Sequence, residues 1–487
     1  MEYLDKIESK KIFTALTIIF IVFYAAQISF WSSRADVLTF ASRSLSKAPI
    51  TGYAYLTPKS LLGDPLLPNY HLGHTVVLWL VYKLFPGSLA KSIWPAGLVS
   101  AISGGFVIGL TFLIWVKLGI NKYKSLIIAV FAGIIPSIWF HNTFGEIYSL
   151  QLLSILLFLY FFYNNNLILS ILAFTFANLV SPLSALSFSF ILLSDWNKKT
   201  FKNAFIVGAV SLIIYSIIYI LIGSNLLNMV NPLSSEQEGR SFLYRLIMLI
   251  LFIILNFNFF IFYLIKGFKK SLKDEPGLFK KLLIATSPQL LLLFLGSTFF
   301  IELGSFQLPL FWALAFPVGL ILSEIKLYEA KVWLPLIGSV LLVIFLWQIP
   351  DRTIAAERHD AGEYLKSVGL NHTKIIGDWG SSVGIILTRD NWEFNSLCNH
   401  YYDRPFPSQT DINETGEDSL IIVAGKKQSL RKLMSKLPLK GLELHPYNPF
   451  VKIKEGRIQK IFENDSVTLY SWKKSGYFHH NEKAITK

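Results

Sequence analysis

The sequence predicts a mainly helical, polytopic membrane protein with a small α/β domain at its C-terminal end. Hydrophobic residues make up 53% of the 487-residue chain and charged residues only 16%, whereas a soluble protein carries about 25% charged residues. Apolar runs of helix length follow one another from Ile12 to Ile349, and polar composition returns from Pro350 onward. We therefore expect a helical membrane domain over 1–349 and a soluble domain over 350–487.

The first apolar segment, Ile12 to Trp31, lacks a small-residue cleavage site and predicts a retained membrane helix. An outer loop over 32–92 follows, too polar at its start to continue the helix. Within the loop, the stretch His71 to Phe85 is at the short end for a span. It predicts a helix that lies at the outer membrane interface.

The spans that follow share apolar length and short hydrophilic connectors. They are Trp94 to Val116, Ser125 to Phe140, Ile147 to Tyr163, Leu167 to Leu193, Ala204 to Gly223, Phe242 to Ile265, Leu282 to Phe300, Leu308 to Leu322 and Val332 to Ile349. Proline inside a helix removes a backbone hydrogen bond and clashes with the preceding turn. Because Leu167 to Leu193 contains Ser181–Pro182, it predicts two short helices that meet at an outward turn. With the first helix, the total is about eleven spans.

Lysines predict the orientation. Every internal connector except the Asn-rich turn at 164–166 carries two or more lysines, as the positive-inside rule expects. If His71 to Phe85 were a full span, everything after it would invert and those lysines would lie outside, so we reject that alternative. We expect a multi-pass protein of the cell membrane, with a cytoplasmic N-terminus and an extracytoplasmic C-terminal domain.

The C-terminal domain mixes helical and strand patterns. Helices are expected over Arg352 to Ser367 and Lys426 to Leu437, strands over Lys374 to Gly377 and Leu420 to Ala424, and three short strands over 451–472 with turns at Glu455–Gly456 and Asn464–Asp465. The stretch GDWGSSVG, Gly377 to Gly384, follows a strand and is compatible with a phosphate-binding backbone or with a tight turn. Its spacing departs from G-x-G-x-x-G, which favours the tight turn.

The net charge of +14 does not indicate a nucleic-acid partner. Many of the basic residues sit in the short connectors, where they match membrane topology and lipid headgroups. The single cysteine, Cys398, excludes an intrachain disulfide framework and a cysteine-rich metal site.

Two acidic residues on the predicted outer side, Asp36 and Glu146, are the strongest candidates for chemistry. An ionisable group at the membrane boundary normally faces a wet cavity. Two carboxylates on one wet face can deprotonate a hydroxyl or hold a divalent cation. The structural alternatives stay open: Asp36 as a solvated helix-capping residue, and Glu146 as a carboxylate favoured by the dipole at a helix N-terminus.

Three stretches resemble the GT-C superfamily of membrane glycosyltransferases, in the branch around the protein O-mannosyltransferases and their prokaryotic relatives. They are SSRADVLTFASRSL followed by NYHLGHTVVLWLVYKLFPG, then FAGIIPSIWFHNTFGEIYSLQLLSILLFLYFF, then FANLVSPLSALSF. The resemblance covers roughly residues 12 to 200, and GEIYSL is its most specific part. Asp36 has no acidic neighbour, and the H-P-P triplet of that branch is absent.

The resemblance implies an inverting transfer of a sugar from a polyprenyl-phosphate donor to a protein, lipid or glycan acceptor outside the cytoplasm. It implies Asp36 as the general base and Glu146 as support for the acceptor or donor site. It also implies Arg34, His71 and His74 as candidates for the lipid phosphate, since a departing phosphate needs fixed donors. Further candidates are Asp64, His141 and Glu302. No cofactor is certain, and a divalent cation stays open.

Simpler interpretations of the phosphate candidates also stay open. His71 and His74 are compatible with interfacial histidines that bind no ligand, and Arg34 with a headgroup anchor. Two other classes of protein compete with the enzyme: a transporter or flippase of a lipid or lipid-linked sugar, and a noncatalytic scaffold with the same fold. Transporters tend to show internal repeats and paired broken helices with polar groups at the bilayer midplane. The sequence shows one break and no repeat.

Overall fold

The computed structural model describes residues 7–32, 37–38, 71–221, 242–295, 307–326, 329–370, 373–377, 379–392, 409–425 and 456–474. These residues are mainly helical, with one small sheet near the C-terminal end. They divide into two compact units. The helical unit comprises 7–30 and 71–350, and the C-terminal unit comprises 31–32, 37–38 and the described residues from 351 to 474.

The helices of the helical unit follow in chain order. They are α1 (Ser9–Ala25), α2 (Leu72–Tyr82), α3 (Trp94–Lys117), α4 (Lys122–Ile134), α5 (Pro136–Phe144), α6 (Ile147–Tyr163), α7 (Leu167–Val180), the 3₁₀ helix Pro182–Leu193, α8 (Lys198–Leu221), α9 (Phe242–Phe257), the 3₁₀ turn Asn258–Phe260, α10 (Ile261–Asp274), α11 (Pro276–Leu295), α12 (Leu308–Leu322), α13 (Ala330–Val343) and the π turn Ile344–Gln348.

Three helical stretches in the described part of the chain are long and apolar enough to cross a membrane, which indicates a membrane protein. They are Trp94–Lys117, Lys198–Leu221 and Leu249–Asp274. The pair α4 and α5 passes the same test together but is bent by 63°. The prediction of about eleven spans is therefore not confirmed. A helix of 17 residues, the longest of the shorter apolar helices, covers about 25 Å, less than the roughly 30 Å hydrocarbon core.

Proline positions decide where helices break. The predicted break at Ser181–Pro182 is confirmed, since α7 ends at Val180 and a 3₁₀ helix begins at Pro182. The segment predicted to span from Ser125 to Phe140 is not one straight helix, because α4 and α5 meet at a 63° bend. Ile135, the residue before Pro136, has extended backbone (ψ 125°), and α5 restarts at the proline. Proline disfavours the α conformation in the residue that precedes it.

The packed interior of the helical unit centres on α3, α5 and α12. All nine residues of α5 are buried, and α12 is buried along nearly its whole length. Trp312 of α12 stacks on Trp115 of α3 at a ring distance of 5.6 Å. The Trp312 Nε1–H donates to Thr111 Oγ1 at 2.9 Å. This bond pairs a buried indole N–H that would otherwise lie in apolar surroundings.

A row of small residues on α3 lets α1 pack closely against it. Gly97, Ala101, Gly105 and Gly109 recur every four residues and so share one helix face. A Cβ atom on Gly105 would lie 2.6 Å from the carbonyl oxygen of Thr17 in α1. Small residues at this spacing let two helix backbones approach closely in a membrane.

The C-terminal unit is a four-stranded mixed sheet with helices. Its elements are α14 (Ile349–Ser367, which begins at the unit boundary), β1 (Ile375–Gly377), α15 (Trp379–Arg389), α16 (Gln409–Glu414), β2 (Ser419–Gly425), β3 (Arg457–Glu463) and β4 (Val467–Lys473). The strand order is β1-β2-β4-β3, with β1 and β2 parallel and the other neighbours antiparallel. Ile376, Ile412, Leu420, Ile422 and Trp472 form a buried core.

Most predicted elements of this unit match the structure, and one does not. The turn at Asn464–Asp465 is confirmed: the Asn464 side chain accepts the backbone N–H groups of Ser466 and Val467 at 3.1 and 3.0 Å. The preference for a tight turn over Gly377 to Gly384 is wrong, because α15 begins at Trp379 within that stretch. The predicted helix Lys426 to Leu437 and the first of the three C-terminal strands lie outside the described residues.

Candidate functional site

The structure describes four of the sequence-predicted site residues: His71, His74, His141 and Glu146. Arg34, Asp36, Asp64 and Glu302 lie outside the described residues. The geometry of the site is therefore given by two histidines at the start of α2 and by the junction between α5 and α6.

The junction between α5 and α6 brings His141 and Glu146 together. Gly145 follows the last residue of α5 in the left-handed region, with φ +80°, a conformation that glycine adopts at little cost. Glu146 then has extended backbone (ψ 171°) and precedes α6 as its N-cap residue. As a result, His141 Nδ1 lies 3.0 Å from Glu146 Oε2.

Both members of this pair are buried, with 0% and 2% of their side-chain surfaces exposed. The two polar atoms lie close together, but their contact lacks the alignment of a good hydrogen bond. A buried charge is expensive unless it is paired. An ionisable side chain at such a position in a membrane protein is, by default, a candidate for function.

Polar and small groups surround the pair. The Ser100 hydroxyl of α3 donates to the Glu146 carbonyl oxygen at 3.3 Å, and the Tyr148 ring meets the His141 ring edge-on at 5.0 Å. Asn142 is fully buried and lies against Gly104, where a Cβ atom would stand 2.6 Å from the Asn142 Nδ2. Ser100, Gly104 and Asn142 could not be predicted as part of the site from the sequence, because their roles depend on contacts between α3 and the α5–α6 junction.

Further polar contacts hold α5 in place. The Trp139 Nε1–H donates to Gln27 Oε1 at 2.9 Å, and Gln348 Nε2 donates to the same oxygen at 2.8 Å. At the N-terminal end of α5, the backbone N–H of Ser137 donates to Asn256 Oδ1 at 3.0 Å. Gln27 and Asn256 thus bind α5 from two distant parts of the helical unit, and Gln348 supports Gln27.

His71 binds the broken end of α7. Because the 3₁₀ helix opens with the bond from Ser184 N–H to the carbonyl of Ser181 at 2.9 Å, the helical bond from Ser184 to Val180 is replaced. The carbonyl oxygen of Val180 accepts a hydrogen bond from His71 Nδ1 at 2.8 Å. This arrangement places a proton on Nδ1 when the imidazole is neutral.

His74 lies one turn further along α2 and is fully buried. Burial, with a smaller contribution from the nearby His71, lowers the pKa of His74 to about 3. The ring is therefore neutral at physiological pH. A neutral imidazole can donate one hydrogen bond to a phosphate but contributes no positive charge.

No protein-family profile matches this chain, and no curated protein matches it in sequence. The resemblance to the GT-C superfamily therefore rests on the three quoted stretches. Within the described ranges, no group of three or more histidine, cysteine, aspartate or glutamate side chains is arranged to hold a metal ion.

Proposed function

We propose that this protein is an integral-membrane glycosyltransferase that moves a sugar from a polyprenyl-phosphate donor to an acceptor on the extracytoplasmic face. One observation supports this most. The stretch with the most specific resemblance, GEIYSL, contains the carboxylate of Glu146, which is buried against His141 at a distance of 3.0 Å. Buried ionisable groups are costly in a membrane protein and mark functional sites.

In the proposed reaction the acceptor hydroxyl attacks the anomeric carbon and the configuration inverts. Asp36 takes the hydroxyl proton as general base. The bond from the anomeric carbon to the phosphate oxygen breaks, and its electron pair leaves with the polyprenyl phosphate. Arg34, His71 and His74 are proposed to meet that phosphate, where fixed donors stabilise the negative charge.

Glu146 is proposed to support the acceptor or donor site. Its backbone is set by Gly145 and Ser100, and its carboxylate lies beside His141. A group held in this way needs little reorganisation when a sugar hydroxyl or a departing phosphate arrives, which is the general advantage of a preorganised site.

The orientation belongs to the same proposal. We propose about eleven spans, a cytoplasmic N-terminus and an extracytoplasmic C-terminal domain, on the basis of the lysines in the connectors. Labelling single cysteines with a membrane-impermeant maleimide in intact cells tests it. In a Cys398→Ser background, Asp418→Cys, in the C-terminal unit, is expected to be labelled from outside, and Lys199→Cys is expected to be protected.

A transporter of a lipid or lipid-linked sugar is the second candidate. The observation in its favour is the 63° bend between α4 and α5, which makes one broken span next to buried polar groups. Transporters build substrate sites from such discontinuous helices.

The test is transfer of labelled sugar from a panel of membrane polyprenyl-phosphate donors at matched expression. Asp36→Asn is compared with Glu146→Gln, and Asp195→Asn, a fully exposed position, is the matched control. We expect Asp36→Asn to lose about 10²-fold or more of the activity, Glu146→Gln to lose less, and the control to keep it. Undiminished transfer by Asp36→Asn would place the base elsewhere. No transfer by the wild type with any donor would favour the transporter or a noncatalytic scaffold.

A further inference from the structure

Helix α10 forms the polar end of a long apolar stretch, Leu249–Asp274. Its 26 residues cover about 39 Å at 1.5 Å per residue, which is more than the roughly 30 Å hydrocarbon core of a bilayer. The first charged residue of the stretch is Lys266. When the stretch crosses a bilayer, the last turns of α10 therefore lie at the level of the lipid headgroups.

One face of α10 is fixed against α12. Leu264, Gly267 and Ser271 are its buried residues, and their spacing of three and four places them on one side of the helix. A Cβ atom on Gly267 would collide with the backbone of Pro317 in α12, so the two helices pack at close range there. This contact sets the rotation of α10 about its own axis and leaves the opposite face outward.

The outward face carries three lysines, Lys266, Lys269 and Lys273, which we call the lysine stripe. Spacings of three and four residues keep them on one side of the helix, and all three are exposed. Phe262, one turn earlier on the same face, is 68% exposed. The face thus changes from apolar to basic along α10, the pattern of a helix that passes from hydrocarbon into headgroups.

A neighbouring lysine binds two of the acidic groups at this end of α10. Lys270 Nζ lies 2.7 Å from Asp274 Oδ2 and 2.6 Å from Glu324 Oε1, just beyond α12. The lysine stripe itself makes no ion pair with any residue that the structure describes. Its three ammonium groups are therefore available to an external anion.

We propose that the lysine stripe binds the phosphate groups of anionic membrane lipids. Lysines beside a membrane are attracted to anionic headgroups, and here three of them are held in line by the packing of α10 on α12. The partner is a lipid rather than a soluble anion, because the exposed Phe262 ring continues the same face toward the hydrocarbon core. The proposal depends neither on the proposed glycosyl transfer nor on the proposed orientation, since it applies to either leaflet.

The test is a lipid titration of the full-length protein in detergent, with bound lipids counted by native mass spectrometry. Phosphatidylglycerol is the anionic probe and phosphatidylcholine the neutral one. One variant replaces the three lysines of the stripe by glutamine, and a second replaces them by arginine. The matched control replaces three exposed lysines at the start of α8: Lys198→Gln, Lys199→Gln and Lys202→Gln.

We expect the wild type to prefer phosphatidylglycerol. Each lysine near an anionic lipid surface contributes about fivefold to binding, so the glutamine variant of the stripe should lose on the order of 10²-fold in affinity for phosphatidylglycerol. The arginine variant and the α8 control should keep most of that affinity, and binding of phosphatidylcholine should not change.

Three results would overturn the proposal. The first is equal binding of the two lipids by the wild type. The second is an equal loss in the stripe variant and the α8 control, which would show that only net charge matters. The third is displacement of phosphatidylglycerol by inorganic phosphate at the same concentration, which would assign the lysine stripe to a soluble anion.

Discussion

The His141 ring and the Glu146 carboxylate lie 3.0 Å apart because Gly145, between them, turns the chain in the left-handed region. Two consequences follow for the energetics. The buried pair depends on both partners, because a buried charge that loses its neighbour keeps its desolvation cost. It also depends on a backbone conformation for which glycine is specifically suited.

We expect each single substitution to lower the free energy of unfolding by more than the contact between His141 and Glu146 contributes to it. His141→Gln removes the ring beside a buried carboxylate, and we expect it to lower the free energy of unfolding by about 3 kcal/mol. Glu146→Gln should cost less, because a neutral amide is easier to bury. The double variant should lose less unfolding free energy than the sum of the two single-variant losses, by about 1–3 kcal/mol. Unfolding of purified protein in detergent measures all three, and strict additivity would show that the contact carries no coupling.

Gly145→Ala is expected to destabilise the protein more than the same substitution at Gly119, which also has a positive φ angle. Gly119 has φ +93° but no atom within 4 Å of its Cβ position, whereas a Cβ atom on Gly145 would lie 3.0 Å from the Cβ of Ala96. Both alanines carry a backbone cost of about 1–2 kcal/mol, and only Gly145→Ala adds overpacking, by about 1 kcal/mol or more. Thermal unfolding of the two variants side by side measures the difference. Equal losses would contradict the packing argument.

The contact between Gly104 and Asn142 predicts a compensating pair. Gly104→Ala pushes a methyl group into the Asn142 side chain, and we expect a loss of about 1–3 kcal/mol of stability from overpacking. In an Asn142→Ala background the methyl group has room, so the same substitution should cost much less. A full double-mutant cycle, followed by unfolding in detergent, checks this. An equal cost of Gly104→Ala in both backgrounds would mean that α3 and α5 move apart instead.

Local signals made part of this fold predictable from the sequence. The bounds of α6 and α12 agree with the predicted segments, because polar turns or proline mark their ends. The break at Ser181–Pro182 follows from the missing N–H of proline. The bend before Pro136 is also marked by a proline, but the sequence on both sides of it is uniformly apolar and is typical of one unbroken span.

Tertiary contacts made the rest unpredictable. Asn142 meets Gly104 on another helix, and Ser137 is capped by Asn256 more than a hundred residues away. The contact between the Trp31 and Trp392 rings likewise joins residues that lie far apart in the sequence. In the candidate site the short spacing of His141 and Glu146 around a glycine was visible, whereas their burial and the groups around them were not.

His74 is expected to make stability depend on pH in the acidic range. Its pKa falls from the ordinary 6.5 to about 3 in the folded protein, so the unfolded chain binds a proton there first. Its contribution is fully present above pH 6.5 and is lost as the pH falls from 6.5 toward 3, by about 1.4 kcal/mol per pH unit. We expect His74→Gln to show a shallower loss of Tm between pH 7 and pH 5 than the wild type. His71→Gln, at the half-buried neighbour, is the matched control, and parallel pH profiles of His74→Gln and wild type would refute the prediction.

The hydroxyl of Thr111 links α3 to the buried indole of α12. We expect its removal to destabilise the protein even when the side-chain volume is preserved. The hydroxyl donates to the Val107 carbonyl at 2.7 Å and accepts the Trp312 N–H at 2.9 Å. Thr111→Val preserves volume but leaves a fully buried N–H without its acceptor, which costs about 1–3 kcal/mol. Thr111→Ser keeps the hydroxyl and loses one methyl group, worth about 0.8 kcal/mol. We therefore expect Thr111→Val to unfold at lower temperature than Thr111→Ser, and the reverse order would show that packing, rather than the hydrogen bond, sets the stability of this contact.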